Sequence, residues 1–308
     1  MIMMKYSSQK IQSLATPSGG EFSVASPEEA FDFCRNLAIG HYENFPVGSV
    51  LIPKKRRPHF FSVYAFSRIA DDIADEDIDF TKDEKLDLLD DFEDMLHGIK
   101  RFASGKGNPI FVALYQSIKE KKLPIEPFVK LLNAFRQDIR FFQPRSHEDN
   151  LKYCDKSANP VGELVLRIFD NFNDETKEYS DAICTGLQLA NFWQDFSRDL
   201  NAGRCYVPKS ILDENKLTIN DLTSGKKNDK LDKLVYELVD HARAYLLRGK
   251  RLIKLLNSPR LRLEISLTIE GGLLILSKTE KLGHEAFTVR PKINKMDIFR
   301  LLLNSMVK

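Results

Sequence analysis

The stretch "RPHFFSVYAFSRIADDIADE", residues 57–76, passes from an almost wholly apolar and aromatic segment into a cluster of carboxylates. Apolar residues on most sides of a helical segment predict a buried helix, here from about Lys55 to Glu76. Asp71 and Asp75 are four residues apart, so they project from one helix face, one turn from each other. An isolated pair of this kind usually marks a solvated helix end. At the end of a buried helix, however, carboxylates are costly without a partner and require a cation.

A second acidic array lies in "LQLANFWQDFSRDL", residues 187–200, where Asn191, Asp195 and Asp199 are spaced by four and four. On a continuous helix such residues drift by only about 40° per step and therefore share a face. The segment before them is mostly apolar, which predicts a second buried helix. Two buried helices with oxygen ligands indicate a divalent-metal site, and an all-oxygen set favours Mg²⁺. Protein-bound Mg²⁺ commonly also takes phosphate oxygens from a substrate.

Basic residues flank both arrays. "PKKRRPH", residues 53–59, and Arg68 precede the first array, while Arg198 and Arg204 surround the second. The "KKRR" run is either a solvated turn or part of the lining of a diphosphate pocket. Neither a Walker A loop nor a Gly-x-Gly-x-x-Gly motif occurs, so a nucleotide held in the usual way is not expected.

The dominant period along the chain is helical, with breakers between about ten apolar-periodic segments and almost no strand signals. Ser26 and Thr81 each precede such a segment, with Glu29 and Glu84 three residues on, which predicts two capping boxes. The expected fold class is all-α. We expect one domain over residues 26–308 and a disordered tail over residues 1–25.

Composition excludes several classes of protein. The 308 residues are 43% hydrophobic and 29% charged with a net charge of +2, which is ordinary for a globular protein and does not favour a nucleic-acid partner. Four scattered cysteines indicate reduced thiols in a cytosolic protein. No apolar run is long enough to span a membrane, and the first residues lack the apolar core of a secretory signal. We therefore expect a cytoplasmic protein.

Four motifs in a fixed order resemble those of the squalene and phytoene synthases. They are "DDIAD" at 71–75, "YCDKSANPVGELV" at 153–165, "NFWQDFSRD" at 191–199 and "GRCYVP" at 203–208. The resemblance covers nearly the whole chain from about Glu28. Within the family, "HYENFPVGS" at 41–49 is most similar to a bacterial branch, the hydroxysqualene synthases of hopanoid biosynthesis.

The resemblance implies an all-α isoprenoid synthase fold around a central apolar cavity, with the two acidic helices facing each other at its mouth. It implies that Mg²⁺ is held by Asp71, Asp75, Asn191, Asp195 and Asp199. The implied catalytic residues are Tyr64, Arg68, Tyr153, Arg204 and Tyr206. The implied substrate-binding residues are His41, Phe45, Asn159, Gly162, Gln188 and Arg198. Trp193, which points off the ligand face, is expected to be core packing.

The branch implies conversion of presqualene diphosphate and water to hydroxysqualene, without a nicotinamide cofactor. A separate presqualene diphosphate synthase would act upstream and a reductase downstream, and so apolar a substrate makes peripheral association with the inner membrane plausible. Two alternatives remain open: condensation of two farnesyl or geranylgeranyl diphosphates, and a non-catalytic binding factor of the same fold. Glu43 departs from the wider family, which often has Lys at that place. Asn159 and Pro160 depart from the usual Ala-Gly-x-Val-Gly.

Overall fold

A computed structural model of the protein describes residues 7–41, 52–74, 79–294, 296–298 and 301, with the side chain of His41 not included. The predictions for Phe45, Asp75 and Glu43, and for the His41 side chain, therefore fall outside the described residues.

The described residues form α-helices joined by short turns, and they contain no β-strand, only an isolated bridge between Val24 and Gly107. The all-α prediction is confirmed. The helices are α1 Ser8–Leu14, α2 Pro27–His41, α3 Arg57–Ala74, α4 Lys82–His97, α5 Pro109–Lys121, α6 Glu126–Ile139, α7 His147–Ser157, α8 Asn159–Ile168, α9 Asp174–Gln194, α10 Phe196–Asn201, α11 Lys209–Asn215, α12 Ile219–Thr223, α13 Asp229–Gly249, α14 Leu252–Leu255 and α15 Pro259–Leu282. Short 3₁₀ helices occupy Gly20–Phe22, Ile99–Ser104 and Gly283–Phe287.

The capping box predicted at Thr81 is complete, whereas at Ser26 only one half forms, because the Glu29 carboxylate accepts from the Ala25 amide at 2.8 Å. The Thr81 side chain accepts from the Glu84 amide, and the Glu84 carboxylate accepts from the Thr81 amide at 2.7 Å. At α2 the Glu29 amide donates to the Ser26 hydroxyl at 3.2 Å. Such caps satisfy amides that have no partner inside the helix.

The N-terminal segment differs from the expected disordered tail over residues 7–25. Helix α1 buries Ile11 and Leu14 completely. The side-chain amide of Asn108 donates to the Leu14 carbonyl at 2.7 Å and to the Thr16 carbonyl at 2.9 Å. Two fully buried apolar side chains and these long-range hydrogen bonds hold the segment, although its short apolar run carries little signal in the sequence.

The chain divides into two compact units. The first comprises Met1–Arg140 and Glu163–Phe172, and the second comprises Phe141–Gly162 and Asn173–Lys308. The expected single domain over 26–308 stays a prediction.

Helix α3 runs through the core of the first unit, surrounded by α2, α5 and α6. The fully buried ring of Phe66 lies 5.3 Å from that of Phe128 and 5.9 Å from that of Phe111. Apolar packing alone is not directional, but near the start of α3 a buried polar network adds a fixed register. There His59 Nδ1 lies 3.1 Å from the Ser117 hydroxyl of α5. The apolar packing around Phe66 and the polar contact of His59 with Ser117 together fix the position of the acidic end of α3 within the unit.

The second unit is built on the contacts of α9 with α13 and α15. The helices approach closely at glycines: a β-carbon on Gly186 would lie 2.8 Å from Leu246, and one on Gly272 would lie 2.9 Å from Leu187. Trp193, near the end of α9, is fully buried, which confirms that it packs in the core. No helix in the described part of the chain is long and apolar enough to cross a membrane.

Candidate active site

The first acidic array, at the end of α3, contains an exposed and a buried carboxylate. The Asp71 side chain is 57% exposed, so its oxygens are open to a ligand, whereas the Asp72 side chain is only 2% exposed. Asp75 lies outside the described residues. The structure therefore places one of the two predicted ligands of this array at an accessible position.

Arg68 links these two aspartates. Its Nη2 donates to Asp72 Oδ1 at 2.5 Å, and its Nη1 lies 3.7 Å from Asp71 Oδ2. Burial opposes the charge of Arg68, but the Asp72 carboxylate and its hydrogen bond outweigh that effect and raise the pKa of Arg68. Asp72 thus holds a permanently charged guanidinium beside the exposed Asp71. Sequence reasoning missed Asp72, although the four-residue spacing from Arg68 was a usable signal.

Tyr64 lies one turn before Arg68 on α3 and is half-buried. Burial raises the pKa of its phenol, the positive charge of Arg68 opposes that shift, and Asp72 and Asp71 add to it. The phenol is therefore protonated at neutral pH and can act as a hydrogen-bond donor.

The second array does not lie on one continuous helix, contrary to the prediction. Helix α9 ends at Gln194, and Asp195 stands between it and α10 with φ −99° and ψ 12°. The hydrogen-bond register nevertheless continues, because the Asp195 amide donates to the Asn191 carbonyl and the Asp199 amide donates to the Asp195 carbonyl, both at 2.9 Å. The three residues therefore still follow one another at intervals of one turn, across a local break.

Each carboxylate of the second array already faces a guanidinium. Arg290 Nε donates to Asp195 Oδ1, and Arg290 Nη2 lies 3.4 Å from Asp195 Oδ2. Arg204 Nη2 lies 3.5 Å from Asp199 Oδ1. Asn191 is exposed and carries no charge. Sequence reasoning missed Arg290, which lies 95 residues from Asp195, and no spacing rule could have joined the two.

An aromatic cluster adjoins this array within the second unit. The ring of Tyr206 stacks on that of Phe192 with centroids 4.0 Å apart and planes at 12°. The ring of Tyr153 lies 5.7 Å from Phe192 and 6.3 Å from Tyr206. The structure therefore brings together Tyr153 and Tyr206, which are predicted as catalytic residues from separate motifs.

The predicted substrate-binding residues of the second unit lie in different surroundings. Asn159 begins α8 and accepts a hydrogen bond from Thr185 at 3.1 Å. A β-carbon on Gly162 would lie 2.4 Å from the Ser180 hydroxyl and 2.7 Å from the Cys184 sulfur, so helix packing accounts for this glycine. Gln188 is half-buried on α9 and Arg198 is exposed on α10. Their contacts with substrate stay predictions.

The basic run before α3 divides into two parts. Lys54 and Lys55 are exposed. Arg56 Nη2 donates to Asp170 Oδ2 at 3.1 Å, and Arg57 Nε donates to the Ile52 carbonyl at 2.8 Å. The two arginines therefore have structural partners, and the predicted solvated turn applies to the two lysines.

The four cysteines are free thiols. Burial raises the pKa of Cys154 and of Cys184 to about 12 and that of Cys205 to about 11, and it raises the pKa of Cys34 as well. Protonated thiols are poor nucleophiles and poor metal ligands. Cysteine chemistry therefore plays no part in the candidate site.

Each of the two arrays has oxygen donors of the kind that Mg²⁺ prefers. Asp71 in the first unit offers carboxylate oxygens, and Asn191, Asp195 and Asp199 in the second offer amide and carboxylate oxygens. The two half-buried guanidinium partners of the second array show that it attracts positive charge. Among the described residues, no three His, Cys, Asp or Glu side chains form a group that could hold a metal ion without other donors. The second array includes an asparagine, Asn191, in addition to carboxylates.

The fold is all-α, with an arginine and aspartates near the end of helix α3 and an Asn-Asp-Asp array at the end of helix α9. These features are typical of helical enzymes that act on prenyl diphosphates. The family model for squalene/phytoene synthase matches residues 39–297. The chain belongs to the squalene/phytoene synthase family and is a prenyltransferase-type enzyme with the isoprenoid synthase fold.

Characterised relatives come from several bacteria. The chain is 34% identical over 225 residues to the hydroxysqualene synthase of Rhodopseudomonas palustris, covering 73% of this chain and 75% of that protein. It is 32% identical over 244 residues to the hydroxysqualene synthase of Sinorhizobium fredii, covering 79% and 81%. The crystal structure of a squalene synthase from Alicyclobacillus acidocaldarius matches with 41% identity and a TM-score of 0.77, covering 84% of this chain and 95% of that one.

Proposed function

We propose that the protein converts presqualene diphosphate and water to hydroxysqualene and diphosphate, and that it requires Mg²⁺. The similarity to two hydroxysqualene synthases over about three quarters of the chain carries the proposal. The polar groups on α3 and after α9 support it, because they supply the positive charge and the oxygen ligands that a departing diphosphate needs.

Asp71 and Asp75 of the first array, and Asn191, Asp195 and Asp199 of the second, would hold Mg²⁺. When bound, the metal would supply Lewis-acid assistance to the leaving diphosphate. Arg68, whose charge is secured by Asp72, adds a fixed positive charge, and the protonated Tyr64 donates a hydrogen bond. These two groups orient the diphosphate before its bond to carbon breaks.

Departure of the diphosphate leaves a carbocation, which the faces of aromatic rings stabilise. Tyr153, Phe192 and Tyr206 form the ring cluster suited to that role. A water molecule then adds to the cation and loses one proton, which gives the alcohol. No electrons are transferred to the product, so the reaction as proposed needs no nicotinamide.

The test is to incubate the purified protein with Mg²⁺ and presqualene diphosphate in ¹⁸O-labelled water and to identify the product by mass spectrometry. We expect hydroxysqualene that carries one ¹⁸O atom, without added NADPH. Formation of squalene alone, and only with NADPH, would contradict the proposal.

A second candidate is head-to-head condensation of two farnesyl diphosphates to squalene, since the similar crystal structure is that of a squalene synthase. Glu43 argues against it. A condensing enzyme must hold two diphosphates, and a carboxylate near the second would cost on the order of 1–4 kcal/mol. We expect poor turnover of farnesyl diphosphate alone, so a separate enzyme would supply the presqualene diphosphate. Efficient condensation by the wild-type protein would favour the second candidate. A Glu43→Lys variant that behaves like wild type with either substrate would contradict the role given to Glu43.

A further inference from the structure

The segment after the 3₁₀ helix Gly283–Phe287 lies against the second acidic array. Arg290 contacts both carboxylate oxygens of Asp195, and each of the two side chains is a little over a quarter exposed. The neighbouring Gln194 donates from its side-chain amide to the Pro291 carbonyl at 3.0 Å. The ring of Phe287 lies 4.6 Å from that of Phe196. Contacts on both sides of Arg290 therefore hold its guanidinium on Asp195.

The charges of this array are balanced before any metal binds. Asp195 faces Arg290, Asp199 faces Arg204, and Asn191 is neutral. A divalent cation that used both oxygens of Asp195 would meet the guanidinium already there, and like charges at that separation repel. The array cannot accept the full charge of a metal unless an arginine moves or an anion arrives with it.

We propose, resting on the function proposed above, that Arg290 and the metal ion compete for Asp195, and that the displaced guanidinium binds the diphosphate. Arg290 is then a substrate-binding residue that is stored on a metal ligand in the ligand-free protein. Because the displaced charge is satisfied only by the anion, metal and diphosphate bind cooperatively, and each strengthens the binding of the other. An empty enzyme would hold little metal, and the pair would assemble only with its substrate.

The test measures binding and not turnover. Mn²⁺ serves as a paramagnetic substitute for Mg²⁺, and its free concentration is followed by electron paramagnetic resonance with the wild-type protein and with Arg290→Gln. We expect the variant to bind Mn²⁺ alone at least about 5-fold more tightly, because the competing cation is gone. Radiolabelled pyrophosphate, measured by ultrafiltration with saturating Mn²⁺, should bind the variant at least about 5-fold more weakly.

Lys292→Gln is the matched control. It removes the same unit charge from the same segment, two residues away, at an exposed position. Both affinities should stay within about 2-fold of wild type, since exposed charges interact weakly. Arg290→Lys keeps the charge but not the two-point contact, and it should shift both affinities in the same directions by less than Arg290→Gln.

Asp195→Asn separates this proposal from the one on which it rests. If Asp195→Asn weakens Mn²⁺ binding while Arg290→Gln does not tighten it, the array holds metal, but Arg290 does not compete with the metal for Asp195. If Asp195→Asn leaves Mn²⁺ binding in the presence of pyrophosphate unchanged, the metal function of the array is itself overturned. If Arg290→Gln weakens the binding of both Mn²⁺ and pyrophosphate, Arg290 has only a structural role.

Discussion

Two adjacent aspartates on α3 show how burial divides the work between neighbouring residues. Asp71 is mostly exposed and Asp72 is almost wholly buried on Arg68. Successive helical positions point about 100° apart, so one carboxylate faces solvent while the next faces the core. The exposed carboxylate can bind a ligand, and the buried one binds the guanidinium of Arg68.

We predict that Asp71→Asn and Asp72→Asn act on different properties. Asp72→Asn removes the buried carboxylate that is hydrogen-bonded to Arg68 and should lower the free energy of unfolding by roughly 3–5 kcal/mol. Asp71→Asn should change it by less than about 0.5 kcal/mol, yet lower turnover by more than about 100-fold, because it removes a proposed metal ligand. Urea unfolding followed by circular dichroism and product formation measure the two effects. Near-normal turnover in Asp71→Asn, or turnover that survives EDTA, would remove Asp71 from the site.

At the scale of elements, the close contact of α8 with α9 depends on a residue without a side chain. The β-carbon position of Gly162 is filled by Ser180 and Cys184 of α9. Gly271 on α15 is the opposite case, since a β-carbon there would meet nothing within 4 Å. Substitutions at these two helical glycines therefore separate the effect of helix packing on stability from the effect of helix propensity.

We predict that Gly162→Ala lowers the free energy of unfolding by about 1–3 kcal/mol, because α8 and α9 must move apart. Gly271→Ala should raise it by up to about 1 kcal/mol, since alanine loses less backbone entropy in a helix. Thermal or urea unfolding measures both changes. If Gly162→Ala is as stable as the wild type but no longer turns over presqualene diphosphate, the glycine serves the substrate and not the helix contact.

At the scale of the whole molecule, the half-buried carboxyl of Glu264 couples global stability to pH. Burial raises the pKa of Glu264 on α15 to about 7, and its Oε2 atom has no hydrogen-bond partner in the described part of the chain. The folded protein therefore retains this proton at pH values where the unfolded chain, with the ordinary carboxyl pKa of 4.5, has released it. The contribution of Glu264 to the free energy of unfolding therefore falls as the pH rises from 4.5 through 7.

We predict that Glu264→Gln flattens this part of the pH profile. The variant should match the wild type near the ordinary pKa of 4.5. It should be more stable by about 1–3 kcal/mol above neutrality, where wild type must bury a charge or take up a proton. Urea unfolding over a pH series measures the difference, with Glu214→Gln, an exposed glutamate on α11, as the control. A difference that is independent of pH would show that Glu264 acts through packing and not through its charge.

The sequence by itself determined the fold class and the family, and it supplied the candidate residues of the site. Helical periodicity and capping residues are local properties, so Thr81 and Glu84 could be paired from their spacing alone. The four-residue intervals of Asn191, Asp195 and Asp199 likewise survived the break at Asp195, because the backbone hydrogen bonds keep the same register across it. The fixed order of the four sequence motifs indicated the family.

Only the tertiary structure decided which neighbours these residues meet. The sequence could not tell that Asp72 is buried and Asp71 exposed, because that depends on which face of α3 the surrounding helices cover. The sequence also could not show that α1 is ordered, because its few apolar residues are stabilised by contacts with residues far along the chain, such as Asn108. It also could not place Arg290 on Asp195. Spacing rules reach about one helical turn, and a contact across 95 residues forms only when the intervening helices have packed.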